Sequence, residues 1–204
     1  IINELNSRIL KVITDLNLIN SFELIFINDS SVDNSWDQIK SLSFKFSYIK
    51  GINLSKNFGQ HNAIMAGLNN CSGEKIITLD DDVFYPKRTI ERLIQNHKKN
   101  PKNIYCNMGL FFNKNLPYTQ WRQIDKKHLF SSPKILPLGV GGVLYPKYSL
   151  SSKIFNKEDI KSLCIHTDDL WLKVMSMINR TDITFCGEFS QPLFTIAKSQ
   201  KENL

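Results

Sequence analysis

Two short apolar runs of strand-forming residues, each cut off by acids, constrain this chain most. The first is Phe22-Glu23-Leu24-Ile25-Phe26-Ile27, which stops at Asn28-Asp29-Ser30-Ser31. The second is Lys75-Ile76-Ile77-Thr78-Leu79, which stops at Asp80-Asp81-Asp82. Apolar runs of this length without polar alternation read as strands buried on both faces, the habit of parallel sheets. Helical patterns separate them. Ile9, Val12, Ile13 and Leu16 recur at helical spacing, and Asp33-Asn34-Ser35 offers N-caps for a helix to about Leu42. Residues 46–54 contain another strand, and 60–68 read as a helix with Ala63, Ile64 and Gly67 on one side, closed by Cys71-Ser72-Gly73. This alternation predicts an α/β fold with a mainly parallel sheet flanked by helices, in which ligands bind at the carboxyl ends of strands. Both acidic loops lie at such ends.

The second half is less regular. Ile90, Leu93, Ile94 and His97 share one helical face, so His97 is expected to pack rather than to ligate. Residues 104–106 and 134–138 read as strands, and 118–129 are polar and aromatic without a period. Gly139, Gly141 and Gly142 mark backbone that bends or approaches a ligand closely. Thr167 is expected to cap a helix with Trp171, Val174, Met175 and Ile178 as its apolar face, and with Asp168 and Asp169 in its first turn. Without repeats or linkers, 1–204 reads as a single domain.

Composition narrows the class. With 204 residues and 42% hydrophobic content the chain can bury a core. No apolar run is long enough to cross a bilayer, and the opening residues mix Asn, Glu and Arg with apolar ones, so neither a membrane span nor a signal peptide is expected. Four cysteines without a C-x-x-C pair suggest reduced thiols rather than a zinc site or a disulfide framework. The net charge of +7 suits nucleic acid, an anionic membrane face or a phosphate-rich substrate, and charge alone does not choose among them.

Asp80 and Asp82, at i and i+2 just past a strand, can aim two carboxylates at one hard cation such as magnesium or manganese. An acidic turn capping the next helix is the other reading. A calcium loop would use Asp80, Asp82 and Glu91 as its first, third and last ligands, but Tyr85 stands where that loop needs glycine, so this reading fails. Asp29, with Ser30 and Ser31, can accept hydrogen bonds from a base or ribose, or form a local turn. Lys56, Asn57 and Gly59 in Ser55-Lys56-Asn57-Phe58-Gly59-Gln60 combine a cation, an amide and a glycine before a helix N-terminus, which suits a nucleotide or its phosphates.

Taken in order, these segments resemble inverting family 2 glycosyltransferases of the GT-A type, with a Rossmann-like nucleotide-binding fold, especially the polyprenyl-phosphate sugar transferases related to dolichol-phosphate mannose synthase. The resemblance rests on residues 26–35, 54–68 and 77–82 and extends over about residues 3–94. It implies that Asp29 meets the nucleoside and that Asn57 and Gly59 belong to the donor pocket, with Ser31 and Lys56 beside them as further candidate donor contacts. It also makes Asp80 and Asp82 the D-x-D pair for Mn2+ or Mg2+, with Asp80 and Asp81 as donor contacts. Asn3-Glu4 looks like the end of the family's P-x-Y-N-E loop, whose preceding first strand is expected to be missing from this chain. After Asp82 the lipid-linked members continue with Leu-Gln and a Pro-Pro pair, whereas Val83-Phe84-Tyr85-Pro86-Lys87 follows here.

The second half is similar to bacterial family 2-like enzymes that carry G-V-G-G-V-L-Y-P and D-D-x-W, here residues 139–146 and 168–171. That resemblance implies Asp169 as catalytic base with Asp168 beside it, and Gly141, Gly142 and Trp171 around the acceptor. Two acids starting a helix also serve simply as dipole partners. The expectation is a nucleotide-sugar half over 1–100 and an acceptor half over 101–204. The donor is expected to be uridine or guanosine diphosphate linked, and the acceptor a cell-surface glycan or its lipid-linked precursor. The expected address is the cytoplasm, including peripheral association with the inner face of the membrane, and nucleic acid is not expected as a partner. Nucleotidyl transfer, and a non-enzymatic basic module for nucleic acid or anionic lipid, are the rival readings.

Overall fold

The computed structural model describes residues 1–86, 88–125, 128–164, 167–187 and 194–195. In chain order its helices and strands are α1 (Ile2–Asp15), β1 (Leu24–Asn28), α2 (Ser35–Lys45), β2 (Ile49–Asn53), α3 (Gln60–Asn70), β3 (Lys75–Thr78), β4 (Val83–Phe84), α4 (Arg88–His97), β5 (Ile104–Cys106) and β6 (Gly109–Phe111). There follow β7 (Phe130–Ser131), β8 (Ile135–Pro137), β9 (Val143–Pro146), α5 (Lys157–Leu163), α6 (Asp168–Ile178), β10 (Ile183–Phe185) and β11 (Phe194–Thr195). They fall into two compact units, Ile1–Ile76 with Phe155–Asp168, and Ile77–Ile154 with Asp169–Leu204. The division therefore runs through β3, while residue 100 lies inside the second unit.

In the first unit β1 and β2 pair in parallel, from Leu24 opposite Ile49 to Asn28 opposite Asn53. The Asn28 side-chain amide donates to Asn53 Oδ1 at 2.7 Å, closing the pair at its carboxyl end. Ile2, Phe26, Ile39, Leu42 and Ile49 form the core, with Leu24, Trp36 and Tyr48 packed around it. Helix α1 buries Ile2, Ile9, Val12 and Ile13, so the helical pattern seen from Ile9 extends back almost to the start. At the opposite end of β1, Glu23 accepts hydrogen bonds from the Ser72 amide (2.6 Å) and hydroxyl (2.8 Å) and an ion pair from Lys50. One carboxylate thus ties β1, β2 and the segment after α3.

The second unit is built on a five-stranded sheet in the order β3-β9-β5-β10-β7. Strand β10 runs parallel to β5, whereas β9 pairs antiparallel with β5 and β7 antiparallel with β10. The parallel pairing expected from the first half recurs here at β5 and β10, and antiparallel neighbours make this sheet mixed. Beside it β6 and β8 form an antiparallel ribbon, Gly109 opposite Pro137 and Phe111 opposite Ile135. Leu93, Ile104, Ile135, Leu136, Leu144 and Ile183 are fully or almost fully buried.

His97 lies on the buried face of α4 with its ring 6.0 Å from Tyr105, as a packing residue. Helix α6 corrects one expectation. It buries Trp171, Leu172, Lys173, Met175 and Ser176, while Val174 and Ile178 are exposed. The predicted stripe is rotated because apolar spacing marks candidate faces, whereas the neighbour against which the helix rests selects one. Lys173 is accommodated because its Nζ donates to the Pro133 carbonyl at 2.7 Å, and burial lowers its pKa to about 8.

Burial opposes ionisation of Glu23, but the hydrogen bonds from Lys50 and Ser72 prevail and lower its pKa from 4.5 to about 2. The unfolded chain then takes up the proton first as the medium is acidified. The Glu23 contribution to stability is therefore complete above about pH 4.5 and is lost towards pH 2. Glu23→Gln should lower stability at neutral pH by about 1 kcal/mol, a figure limited by the half-exposed Lys50. In urea titrations across this range the gap between variant and parent should close as the pH falls.

Candidate active site

In the first unit the loop between β2 and α3 is shaped by one carboxylate. The Phe58 amide donates to Asp29 Oδ1 at 2.8 Å, and the Gly59 amide to Asp29 Oδ2 at 2.7 Å and to Asn57 Oδ1 at 3.0 Å. Gly59 sits at φ +87° as the residue before α3, a backbone state that a side chain would strain. Lys56 places its Nζ 5.1 Å from the centre of the exposed Phe58 ring. Asp29, Lys56, Asn57 and Gly59 are thus gathered at the carboxyl ends of β1 and β2, and exposed Ser31 follows β1 closely in sequence. The carboxylate expected to meet a nucleoside is first of all the clamp of this loop.

His61, two residues on, was not singled out from the sequence. It is buried on α3 with Met65, the i, i+4 repeat that could have pointed to it. Burial lowers its pKa, and the negative charge of Asp168, the last residue of the first unit, works against that shift.

In the second unit the chain leaves β3 into a turn over Asp80, Asp81 and Asp82. Asp80 and Asp82 are half-buried and Asp81 is exposed. The Asp80 amide donates to the hydroxyl of buried Tyr85 at 2.8 Å. Burial raises the pKa of this phenol, and the charges of Asp80, Asp82 and Asp81 raise it further. Tyr85, noticed in the sequence only as a missing glycine, is the post around which the acidic turn is wound. No group of three or more His, Cys, Asp and Glu among the described residues is arranged to hold a metal ion. Two carboxylates that leave further ligands to water and phosphate oxygens fit a hard divalent cation of the magnesium kind.

The glycines of residues 139–142 do backbone work. Gly142 has φ +78°, and a Cβ there would lie 3.1 Å from Leu79 Cδ2. A Cβ on Gly141 would lie 2.6 Å from Met108. Buried Asn107 locks this corner, donating to the carbonyls of Gly141 (3.2 Å) and Thr89 (3.4 Å). Gly139 then turns its amide to Asp169 Oδ1 at 3.0 Å. Contacts therefore run from Leu79, beside the acidic turn, through the glycine corner to the Asp169 carboxylate.

Gly141 and Gly142, expected around an acceptor, are explained by close backbone approach. Trp171 needs a correction. It is 1% exposed and its Nε1 donates to the Ile154 carbonyl at 3.0 Å, so it anchors α6 in the core and lines no open acceptor surface.

The sequence profile described as Glycosyl transferase family 2 matches residues 1–171. Among curated proteins, the chain is 38% identical over 78 residues to "Putative glycosyltransferase CsbB" of Bacillus subtilis (strain 168), 38% of this chain and 24% of that protein. It is 44% identical over 78 residues to the undecaprenyl-phosphate 4-deoxy-4-formamido-L-arabinose transferase of Yersinia pestis (strain Pestoides F), with the same two coverages. The protein of that name from Serratia proteamaculans (strain 568) is 41% identical over 75 residues, 36% of this chain and 23% of that protein. The matched stretch is thus about a quarter of each relative's length.

Asp29→Ala should destabilise the first unit by about 1–3 kcal/mol, since two amides lose a charged acceptor. Amide hydrogen exchange at Phe58 and Gly59 should accelerate selectively, and Asp29→Asn should recover part of the loss.

Proposed function

The chain belongs to glycosyl transferase family 2, and from that premise we propose that it transfers a sugar, with inversion, from a nucleoside diphosphate donor to a cell-surface glycan or its lipid-linked precursor. The observation that carries this reading is Asp169, held by the Gly139 amide in the unit that also holds the acidic turn. A carboxylate with one oxygen anchored has a fixed direction from which to accept a proton. The acceptor hydroxyl gives its proton to Asp169 while its oxygen bonds to the anomeric carbon. The bond from that carbon to the diphosphate breaks on the opposite face, and the electron pair leaves with the nucleoside diphosphate. Asp168, at the start of α6, adds negative charge beside the base.

Asp80 and Asp82 would hold Mn2+ or Mg2+, with Asp81 as a donor contact. When bound, such a cation neutralises charge that builds on the leaving diphosphate. Asp29, Ser31, Lys56, Asn57 and Gly59 bind the donor nucleotide: Lys56 supplies the cation, and the clamped loop supplies a preformed shape. The printed names of the Yersinia and Serratia relatives support a lipid-linked acceptor. No helix among the described residues is long and apolar enough to cross a membrane. The proposed place of work is the cytoplasm, at the inner face of the membrane where the acceptor is lipid-linked.

In the full-length protein, Asp82→Asn should abolish manganese-dependent release of nucleoside diphosphate from the donor, and unchanged turnover would remove the metal role from this residue. Asp169→Asn should keep the thermal stabilisation produced by donor and manganese but lose transfer by about 10²–10⁴-fold. Release of pyrophosphate instead would identify nucleotidyl transfer.

A further inference from the structure

Nothing in the donor or base machinery uses residues 112–121, yet they form an ordered device. Beyond β6 the chain turns out and returns over 122–124, where the Phe111 amide donates to the Arg122 carbonyl (2.8 Å) and the Ile124 amide to the Gly109 carbonyl (2.9 Å). The returning segment, bridged to Leu110 at Gln123, thus lengthens the β6–β8 ribbon sideways. The tip between is closed from inside. Trp121 Nε1 donates to the carbonyls of Asn113 and Leu116, both at 3.0 Å. Phe112 meets the indole edge-on at 5.0 Å between centroids, and Tyr118 lies 5.2 Å from it at 55°. Tyr118 remains 52% exposed.

We propose that this tip is a binding platform for an oligosaccharide acceptor, gripping sugar units beyond the one that is glycosylated; the acceptor role rests on the sugar-transfer reading above. The chemistry selects the occupant. The indole has spent its one donor internally, so it offers ring surface and no hydrogen bond. The electron-rich ring faces suit the partly positive C–H faces of pyranoses. Asn115, Thr119 and Gln120 are exposed amides and a hydroxyl of the kind that pairs with sugar hydroxyls. Lys114 is the one charged residue in 112–121, which suits a neutral polyol better than a polyanion or an anionic bilayer.

Continuity with the base sets the length. At one end of the ribbon the Leu138 amide donates to the Met108 carbonyl (3.1 Å), directly before the Gly139–Asp169 contact. At the other end the Phe112 amide donates to the Lys134 carbonyl (2.7 Å). Three strand residues lie between Met108 and Phe112, four residue steps or about 13 Å. A single sugar at Asp169 does not span that distance, whereas a chain of several sugars does.

The test begins with binding of the chain to immobilised neutral oligosaccharides and the matching monosaccharides, with vesicles of phosphatidylglycerol alongside. The expected result is binding of oligosaccharides of three or more units in preference to their monosaccharides. Tyr118→Ala should weaken it about tenfold, the effect of removing one stacked ring. Trp121→Ala should weaken it further, and Tyr118→Ala, whose ring is half-exposed, keeps the test decisive if the Trp121 variant misfolds. A retained thermal midpoint separates lost binding from lost folding. Absence of oligosaccharide binding, equal binding of monosaccharides, binding of vesicles alone, or an unaffected Tyr118→Ala would each overturn the platform. Donor turnover with no oligosaccharide binding sinks the platform alone. Oligosaccharide binding without donor turnover in the full-length protein leaves a carbohydrate-binding surface and overturns its acceptor role.

Discussion

Leu79 and Gly142 meet where a Cβ on the glycine would be tightly placed, 3.1 Å from Leu79 Cδ2, on backbone at φ +78° that a side chain would strain. That restriction governs the chemistry-bearing part of the second unit. Because Gly142 carries no Cβ and turns through positive φ, the glycine corner can press against the end of β3. Asn107 can then bind the carbonyls of both Gly141 and Thr89. Gly139 is left with its amide directed at Asp169. The acidic turn and the Asp169 carboxylate are consequently referenced to one piece of backbone rather than to separate loops. Fixed donors and acceptors of this kind need little rearrangement during a reaction.

Charge is handled differently in the two units. Asp29 orders its own surroundings, since each of its oxygens receives a backbone amide. The acidic turn instead concentrates three carboxylates around a phenol whose pKa is raised first by burial and then by their charges. Burial of Tyr85 keeps that phenol protonated, and its hydroxyl oxygen receives the Asp80 amide. A tyrosine can therefore fix the acids in place without neutralising any of them.

The sequence exposes what depends on local pattern. Both acid-terminated strands appear where the apolar runs place them, and α2, α3 and α4 follow their periodic residues. The antiparallel insertion of β9 and β7 was not legible, because Val143-Leu144-Tyr145 and Phe130-Ser131 are too short to reveal the direction of a distant partner. Trp171 misled for a related reason. A tryptophan three residues into a helix satisfies either an open surface or a core, and only the Ile154 carbonyl at its Nε1 decides between them. Tyr85 could not be recognised as a post because its partner is a backbone amide, which leaves no mark in a sequence. Asp29 was legible as important, whereas its two amide partners were not.

The closed tip at 112–121 has a consequence for how such a chain diversifies. Its ends are tied across the ribbon and its interior is tied to itself through Trp121, so its fold asks little of the strands beneath. A segment with that independence can be lengthened, shortened or exchanged while β6 and β8 keep their register. Inheritance can then act on the two regions at different rates: side chains on the glycine corner would strain its backbone, whereas the tip can change in length and sequence around its Trp121 closure.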